Sequence, residues 1–219
     1  MKINNTLFLL SSFQFFSLIN THAQTTNEFE GAITYSHKVE AIDKDYDINR
    51  DYSYIGKQSV FYYKNGNYKW LNENAFIEMD LFRSKDSVEY LKMQSTDSIL
   101  YVPNNMSNEE IIDYKILQNA DTVAGHVCNV LIVKAGSNGN EWTRQISYSS
   151  EFAINPDKFA RYKYNSTNFL YLQMKAVPLK IQLIYKARKI IYTAINIEKK
   201  KLQESFFEFK AGTKFKSLL

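Results

Sequence analysis

The chain has 219 residues, with 45% hydrophobic residues and 16 Tyr and 15 Phe against 7 Gly and 3 Pro. This length and apolar content exclude a disordered chain and fit a single domain, and the many aromatic residues favour β-sheet. The single cysteine, Cys128, excludes an internal disulfide and argues against a cysteine-based zinc site.

The net charge of +4 is unevenly distributed, with acidic residues predominating before position 158 and basic residues from there on. A basic surface of this kind could attract anionic lipid headgroups or nucleic acid. Between 180 and 200, however, the basic residues alternate with apolar ones. This pattern favours pairing with the acidic part of the chain across one sheet, and no nucleic-acid partner is predicted.

Residues 1–23 have the pattern of a cleavable signal peptide. Lys2 precedes an apolar stretch over 7–19, and Thr21 and Ala23 are the small residues before the predicted cut. The apolar centre is shorter than the ~20 residues that a membrane-spanning helix needs, and no transmembrane segment is predicted later. We expect an exported protein, periplasmic or secreted, with association to the outer membrane left open. The alternative is the frayed N-terminal helix of a cytosolic protein.

The rest of the chain, residues 24–219, is predicted to form a single β-rich domain. Asn65-Gly66 between two aromatic runs is the strongest hairpin signal, because both turn positions need positive φ. Residues 43–51 are predicted as a solvated loop, and 104–110 as a loop or a helical turn. We expect about ten strands at the spacing of a meander, with 114–118 as an optional one. The other predicted strands are 29–39, 60–64, 67–71, 75–81, a strand from Val88, 99–102, 127–134, 142–148, 179–185 and 190–197.

One segment carries a helix signal. Asn155 is a good N-cap, Pro156 suits the first helical position, and Asp157 suits the first turn. Residues 167–175 are predicted to extend this helical character. Helices are otherwise few, so the fold class is mainly β (α+β).

The chain offers few groups for catalysis. After removal of the signal peptide, His37 and His126 are the only histidines. His126 and Cys128 share a strand face and could act as base and nucleophile, but a strand-entry histidine and a buried apolar cysteine are the favoured interpretation. The acids of 43–47 lack the glycine and glutamate of a calcium loop. No catalytic residue, metal ligand or cofactor is predicted.

The aromatic strands allow two interpretations. Their residues, Tyr52, Tyr54, Phe61, Tyr63, Tyr68 and Trp70 among them, could line an apolar pocket or could be core and cross-strand pairs. A long sheet with few helices must cover its apolar face by closing, by stacking or by leaving a concavity. The candidate ligand-binding residues on such a concave face are Ile33, Tyr35, Tyr63, Trp70, Ile77, Met79, Leu81, Ile181 and Leu183.

Three short elements carry a family resemblance: Gly125–Cys128, Glu141-Trp142-Thr143 and Ala176-Val177-Pro178-Leu179. They resemble elements of GLPGLI-type and related exported proteins of Bacteroidetes, although His126 and Ala176 replace the usual Tyr and Gly and the GLPGLI string is missing. Those proteins look similar to the half-barrel fold of periplasmic lipoprotein carriers. The resemblance implies a curved antiparallel sheet over an apolar concavity, with 155–175 as part of a lid. It implies fold and location rather than an activity.

The sequence therefore predicts a non-catalytic envelope protein that binds a lipid or other apolar ligand in a concavity of its β-sheet. The alternative is a structural or protein-interaction module with a fully packed core and an envelope protein as its partner. A Cys–His enzyme is a third hypothesis.

Overall fold

The computed structural model describes residues 28–103 and 106–218 of the chain. Over these residues twelve strands form one open sheet, accompanied by two α-helices. The predicted mainly β class is confirmed, and the predicted count of about ten strands was too low. The signal peptide predicted over 1–23 lies outside the described residues. The elements are β1 Gly31–Ala41, α1 Ile48–Ile55, β2 Gln58–Lys64, β3 Asn67–Asn72, β4 Ile77–Arg83, β5 Val88–Met93, β6 Ile99–Val102, β7 Glu110–Val123, β8 His126–Ser137, β9 Asn140–Ala153, α2 Thr167–Met174, β10 Ala176–Ile184, β11 Arg188–Lys199 and β12 Phe215–Ser217.

The strands follow the order β12-β6-β5-β4-β3-β2-β1-β11-β10-β9-β8-β7, and only the β12–β6 pair is parallel. The two halves of the sheet meet at β1, which pairs with β2 on one side and β11 on the other. The predicted hairpin at Asn65-Gly66 is confirmed, with φ of 47° and 80° at its two turn residues. Ala124-Gly125 and Asn138-Gly139 form the same kind of positive-φ turn at the β7–β8 and β8–β9 connections.

Three local expectations differ from the structure. The loop predicted over 43–51 is wrong from residue 48 onward, because the Asp47 side chain caps α1 by accepting a hydrogen bond from the Asn49 amide. Tyr52 and Tyr54, grouped with the strand aromatics from sequence, therefore lie on a helix. Residues 114–118, for which a strand was only one possibility, belong to the longer strand β7. The side chains of β7 are mostly exposed and show little alternation, because β7 is an edge strand.

The predicted helix start at Asn155 is confirmed, although the first helix is a single 3₁₀ turn, Pro156–Phe159. The Asn155 side chain accepts a hydrogen bond from the Asp157 amide, and Pro156 stands at the first position. A second 3₁₀ turn, Tyr164–Ser166, leads into α2. Residues 155–175, here called the covering segment, bury Phe159, Tyr162, Tyr171 and Met174 against one face of the sheet.

The two faces of the sheet have separate cores. The face under the covering segment carries the main core, which includes Ile33, Tyr35, Phe61, Tyr63 and Leu131, each fully enclosed. On the opposite face, Leu81, Tyr90 and Ile99 pack with Phe207 from the C-terminal segment. None of the helices in these described ranges is long and apolar enough to cross a membrane.

The uneven charge is balanced within the fold. Strand β11, from the basic part of the chain, pairs with β1, which belongs to the acidic part of the chain. The resulting ion pairs between the two parts include Lys189–Glu40 at 3.4 Å, Arg188–Asp51 at 3.1 Å and Lys201–Glu30 at 3.1 Å. This confirms the expectation that the acidic and basic parts pair across one sheet.

Candidate functional site

Two adjoining cavities lie on the face of the sheet that carries the main core. One, of about 330 Å³, is bordered by Tyr54 and Ile55 of α1. The other, of about 270 Å³, lies under Leu170, Tyr171 and Met174 of the covering segment. Together they are called the joined cavity, with an α1 end and an α2 end, because both are lined by Trp70, Asn165, Ile181 and Leu183.

Strands that are distant in the sheet order contribute to this one space. Trp70 belongs to β3, whereas Ile181 and Leu183 belong to β10, and β2, β1 and β11 lie between these strands. Trp70 packs on Tyr35 with ring centroids 4.8 Å apart and on Tyr192 of β11 at 6.1 Å. The walls of the joined cavity are therefore mainly aromatic and aliphatic.

The structure separates the ligand-binding residues predicted from sequence into three groups. The residues that line the joined cavity are Trp70, Ile77, Ile181 and Leu183. Ile33, Tyr35 and Tyr63 are fully buried in the adjacent core. The phenol of Tyr35 donates a hydrogen bond to the Pro178 carbonyl. Met79 and Leu81 belong to the core on the opposite face.

A β-bulge explains why β4 divides in this way. Ile77 pairs with Met93 and Met79 pairs with Lys92, so Glu78 is an extra residue without a counterpart in β5. An extra residue reverses the alternation of side chains beyond it. Ile77 and Asp80 therefore both reach the joined cavity, while Met79 and Leu81 turn to the other face.

A buried carboxyl pair is the main feature that the sequence prediction missed. Asp80 of β4 lines the α1 end, and Glu89 of β5 lies diagonally across the strand pair, within hydrogen-bonding reach of Asp80. Glu89 accepts hydrogen bonds from the phenols of Tyr68, at 3.3 Å, and Tyr162. Asp80 accepts none from the described residues, and its Oδ1 atom is inaccessible to solvent.

The environment of the pair decides where a proton is held. Asp80 keeps some accessible surface where it lines the cavity, while its Oδ1 atom is shielded from solvent. Burial, followed by the neighbouring Glu89 carboxylate, raises the pKa of Asp80 well above its usual value. Like charges this close oppose ionisation of both acids, and because two phenols donate to Glu89 and none donates to Asp80, a proton shared by the pair is held on Asp80. The pair then carries one negative charge.

The α2 end contains a basic group that is already paired. Arg144 of β9 donates to both carboxylate oxygens of the buried Glu109 and, at 2.8 Å, to the Asn165 carbonyl. Asn165 and Asn108 also exchange side-chain and backbone hydrogen bonds of 2.8 and 2.7 Å. These contacts hold the covering segment at Asn165, where both Asn165 and Ser166 have positive φ.

The two histidines occupy sites of a different kind. His126 contacts Glu151 through Nδ1 at 3.1 Å, and the Cys128 thiol donates to the His126 carbonyl at 3.3 Å. Burial raises the pKa of the Cys128 thiol, which opposes thiolate formation. His37 contacts the Ser59 hydroxyl at 2.8 Å and the Gly56 carbonyl at 3.2 Å, and its ring packs edge-on against Tyr192.

A polar cleft of about 520 Å³ on the molecule is bordered by Arg83, Lys85 and Glu208. Its charged groups are largely paired with each other, since Glu208 lies 3.0 Å from Arg83 and 2.7 Å from Lys85. The joined cavity is the better candidate for a ligand site because it combines an apolar wall with a polar group that has no donor.

No family model matches the sequence, and no curated protein matches it either. Among solved structures, the chain is similar to one described as the structure of PNGF-II in C2 space group, with 10% sequence identity and a TM-score of 0.41. The match covers 85% of this chain and 31% of the other, so the chain spans about a third of that protein's length.

Proposed function

We propose that this protein is an exported, non-catalytic protein of the cell envelope that binds a lipophilic ligand in the joined cavity. The observation that carries the proposal is the pair of adjoining cavities that share Trp70, Ile181 and Leu183 in their walls. Their volumes, about 330 and 270 Å³, together reach the range of ~300–1,000 Å³ that small-molecule sites occupy.

The wall residues support binding of an apolar ligand because they remain only partly buried. Trp70, Ile181 and Leu183 lie beside fully enclosed core residues, yet they keep accessible surface toward the cavity. Removing apolar surface from water contributes about 25 cal/mol per Å². An apolar ligand placed between these side chains would gain this contribution from its own buried surface and from the surface of the cavity wall that it covers.

The proposal includes a half-barrel in which the sheet curves around the ligand and the covering segment acts as a lid. The participation of both β3 and β10 in one cavity supports this curvature, because three strands separate them in the sheet. The packing of Phe159, Tyr162 and Tyr171 on the same face supports the role of a lid. The resemblance to GLPGLI-type exported proteins agrees with both features.

Export is proposed from residues 1–23 and is tested separately. N-terminal sequencing of protein recovered from its own cells should begin at Gln24, and fractionation should find the protein outside the cytoplasm. Recovery of an uncleaved chain in the cytosol would contradict export without bearing on ligand binding.

The ligand is tested on protein purified from its own envelope by native mass spectrometry, solvent extraction and uptake of a fluorescent fatty acid. The variant Leu183→Trp should fill the joined cavity and reduce uptake at least about tenfold, which corresponds to ~1.4 kcal/mol of lost binding free energy. Ile195→Trp is the matched control, because Ile195 is 56% exposed on the neighbouring strand β11. Absence of any extracted lipid together with absence of uptake would reject the proposal.

A second candidate function is a protein-interaction module, and the edge strand β7 favours it. Ile112, Tyr114 and Leu117 of this strand are 51%, 47% and 41% exposed. A long edge strand offers unpaired backbone groups to which a strand of an envelope protein could add. Crosslinking in the envelope should then recover a partner that is lost in Leu117→Lys, whereas fatty acid uptake should be unchanged by this substitution.

A further inference from the structure

The α1 end of the joined cavity contains a carboxyl group that lacks a hydrogen-bond donor. Within residues 28–103 and 106–218, Asp80 accepts no hydrogen bond, and neither Asp80 nor Glu89 forms an ion pair with a lysine or arginine. A buried polar group without a partner is costly, and a buried charge without a partner is more so. A ligand that brings both a donor and a positive charge to Asp80 would remove this cost.

The residues around Asp80 favour an organic cation. Trp70 and Tyr192 border the same end of the cavity, and Tyr54 of α1 stands at its margin with 47% exposure. The faces of such rings attract ammonium groups. No third His, Cys, Asp or Glu joins Asp80 and Glu89 in a metal-binding group in the described part of the chain. Ile77 and Leu91 add aliphatic wall, so the surroundings are mainly aromatic and aliphatic, with Asn72 and Asn165 as the uncharged polar residues of this end.

An anionic head group fits neither end of the cavity. At the α1 end it would meet the carboxyl pair, and like charges repel. At the α2 end, Arg144 is the only arginine or lysine among the residues described as lining the joined cavity. Its guanidinium already donates to Glu109 and to the Asn165 carbonyl. An anion would have to displace the buried carboxylate of Glu109.

We propose that the ligand is an amphiphile with an amine head, bound at the α1 end by Asp80 with Glu89 beside it, and with its apolar part extending along Ile181 and Leu183 toward the α2 end. This inference rests on the proposed function, because it specifies the ligand class for the same cavity. The amine donates hydrogen bonds to Asp80, and its charge compensates the single negative charge of the carboxyl pair. The aromatic rings then contact the ammonium group on its open sides.

Native mass spectrometry and displacement of Nile red can test this with three probes of equal chain length: dodecylamine, dodecanol and dodecanoate. A hydrogen bond to a charged group contributes enough to change affinity by about tenfold to a hundredfold. We therefore expect dodecylamine to bind at least about tenfold more tightly than dodecanol, and dodecanoate to bind most weakly. Asp80→Asn should largely remove this preference, because an amide replaces the carboxyl that lines the cavity and adds a third donor to Glu89, which is not among the lining residues. Glu78→Gln, an exposed acid on the same strand, should retain it.

The outcomes separate the inference from the function on which it rests. Equal binding of dodecylamine and dodecanol, within about threefold, would overturn the amine head while leaving an apolar binding site in place. Tighter binding of dodecanoate would also overturn it. If none of the three probes binds, the proposed function fails and the inference fails with it. Because the comparison of head groups uses the unsubstituted protein, it holds even if Asp80→Asn does not fold.

Discussion

The substitution Asp80→Asn should stabilise the unliganded protein at neutral pH. In the wild type, the Asp80 carboxyl lies beside the buried Glu89, its Oδ1 atom is inaccessible to solvent, and it accepts no hydrogen bond from the described residues. An asparagine of the same shape carries no charge, and its amide can donate to the Glu89 carboxylate without requiring a proton. The substitution therefore removes both the repulsion between two acids and the need to protonate one of them.

The magnitude follows from the state of the buried oxygen. A hydrogen bond to a charged group contributes about 1.5–3 kcal/mol, and asparagine makes this bond to Glu89 without taking up a proton, so we expect a gain of about 1–3 kcal/mol in the free energy of unfolding at neutral pH. The sign of the pH dependence is set by the raised pKa of Asp80. The folded protein binds this proton more tightly than the unfolded chain does, so the wild type loses stability as pH rises from the usual Asp pKa toward the folded value. The gain from Asp80→Asn should therefore grow with pH over this range and shrink as pH falls toward about 4.

Urea unfolding of both proteins across this pH range measures the effect, with Glu78→Gln as the control for removal of an acid from the exposed part of β4. The control should change stability by less than about 0.5 kcal/mol. A loss of stability in Asp80→Asn at neutral pH, or a gain that is the same at every pH, would refute the reasoning. The first result would mean that the Asp80 carboxylate has a favourable partner in the unliganded protein, and the second that the gain does not come from the ionisation of Asp80.

Three further substitutions test other parts of the structure, each by urea unfolding. Arg144→Met should lower the free energy of unfolding by about 3–5 kcal/mol, because it leaves Glu109 buried without its partner. The additional change Glu109→Gln should restore part of this loss. Equal stability of the single and double variants would contradict this expectation. Tyr162→Phe should cost about 1–2 kcal/mol by removing a donor to the buried carboxyl pair, and an unchanged midpoint would speak against that bond. Gly66→Ala should cost about 1–3 kcal/mol, because φ is +80° and the new Cβ would lie 2.5 Å from the Lys158 Cβ; full stability would show that the turn can rearrange.

The hairpins and the helix start were predictable because their signals are local. Asn65-Gly66 specifies a turn by the backbone freedom of its two residues, and Asn155-Pro156 specifies a helix start by capping. The helix α1 was missed because a segment rich in Asp and Lys has the composition of a loop. Tertiary contacts stabilise it, including the 3.1 Å ion pair of the buried Asp51 with Arg188.

The candidate site was predictable only in part, and the bulge at Glu78 shows why. Period-two alternation assigned Ile77, Met79 and Leu81 to one face, but one extra residue places Met79 and Leu81 on the other face and brings Asp80 to the cavity. A bulge has no reliable signal in a single sequence when no glycine marks it. The partner of Asp80 is set by the β4–β5 register, which is likewise a property of the folded sheet.

The carboxyl pair and the apolar wall together distinguish a binding site from a packed core. If the joined cavity were only a packing defect, replacing Asp80 would improve stability and change nothing else. A group kept at a cost to stability is typical of a site where function requires it. The combination to look for is therefore a variant that is more stable and yet has lost its preference for an amine head. Greater stability of Asp80→Asn with unchanged ligand preference would instead indicate that the pair belongs to the architecture of β4 and β5 alone.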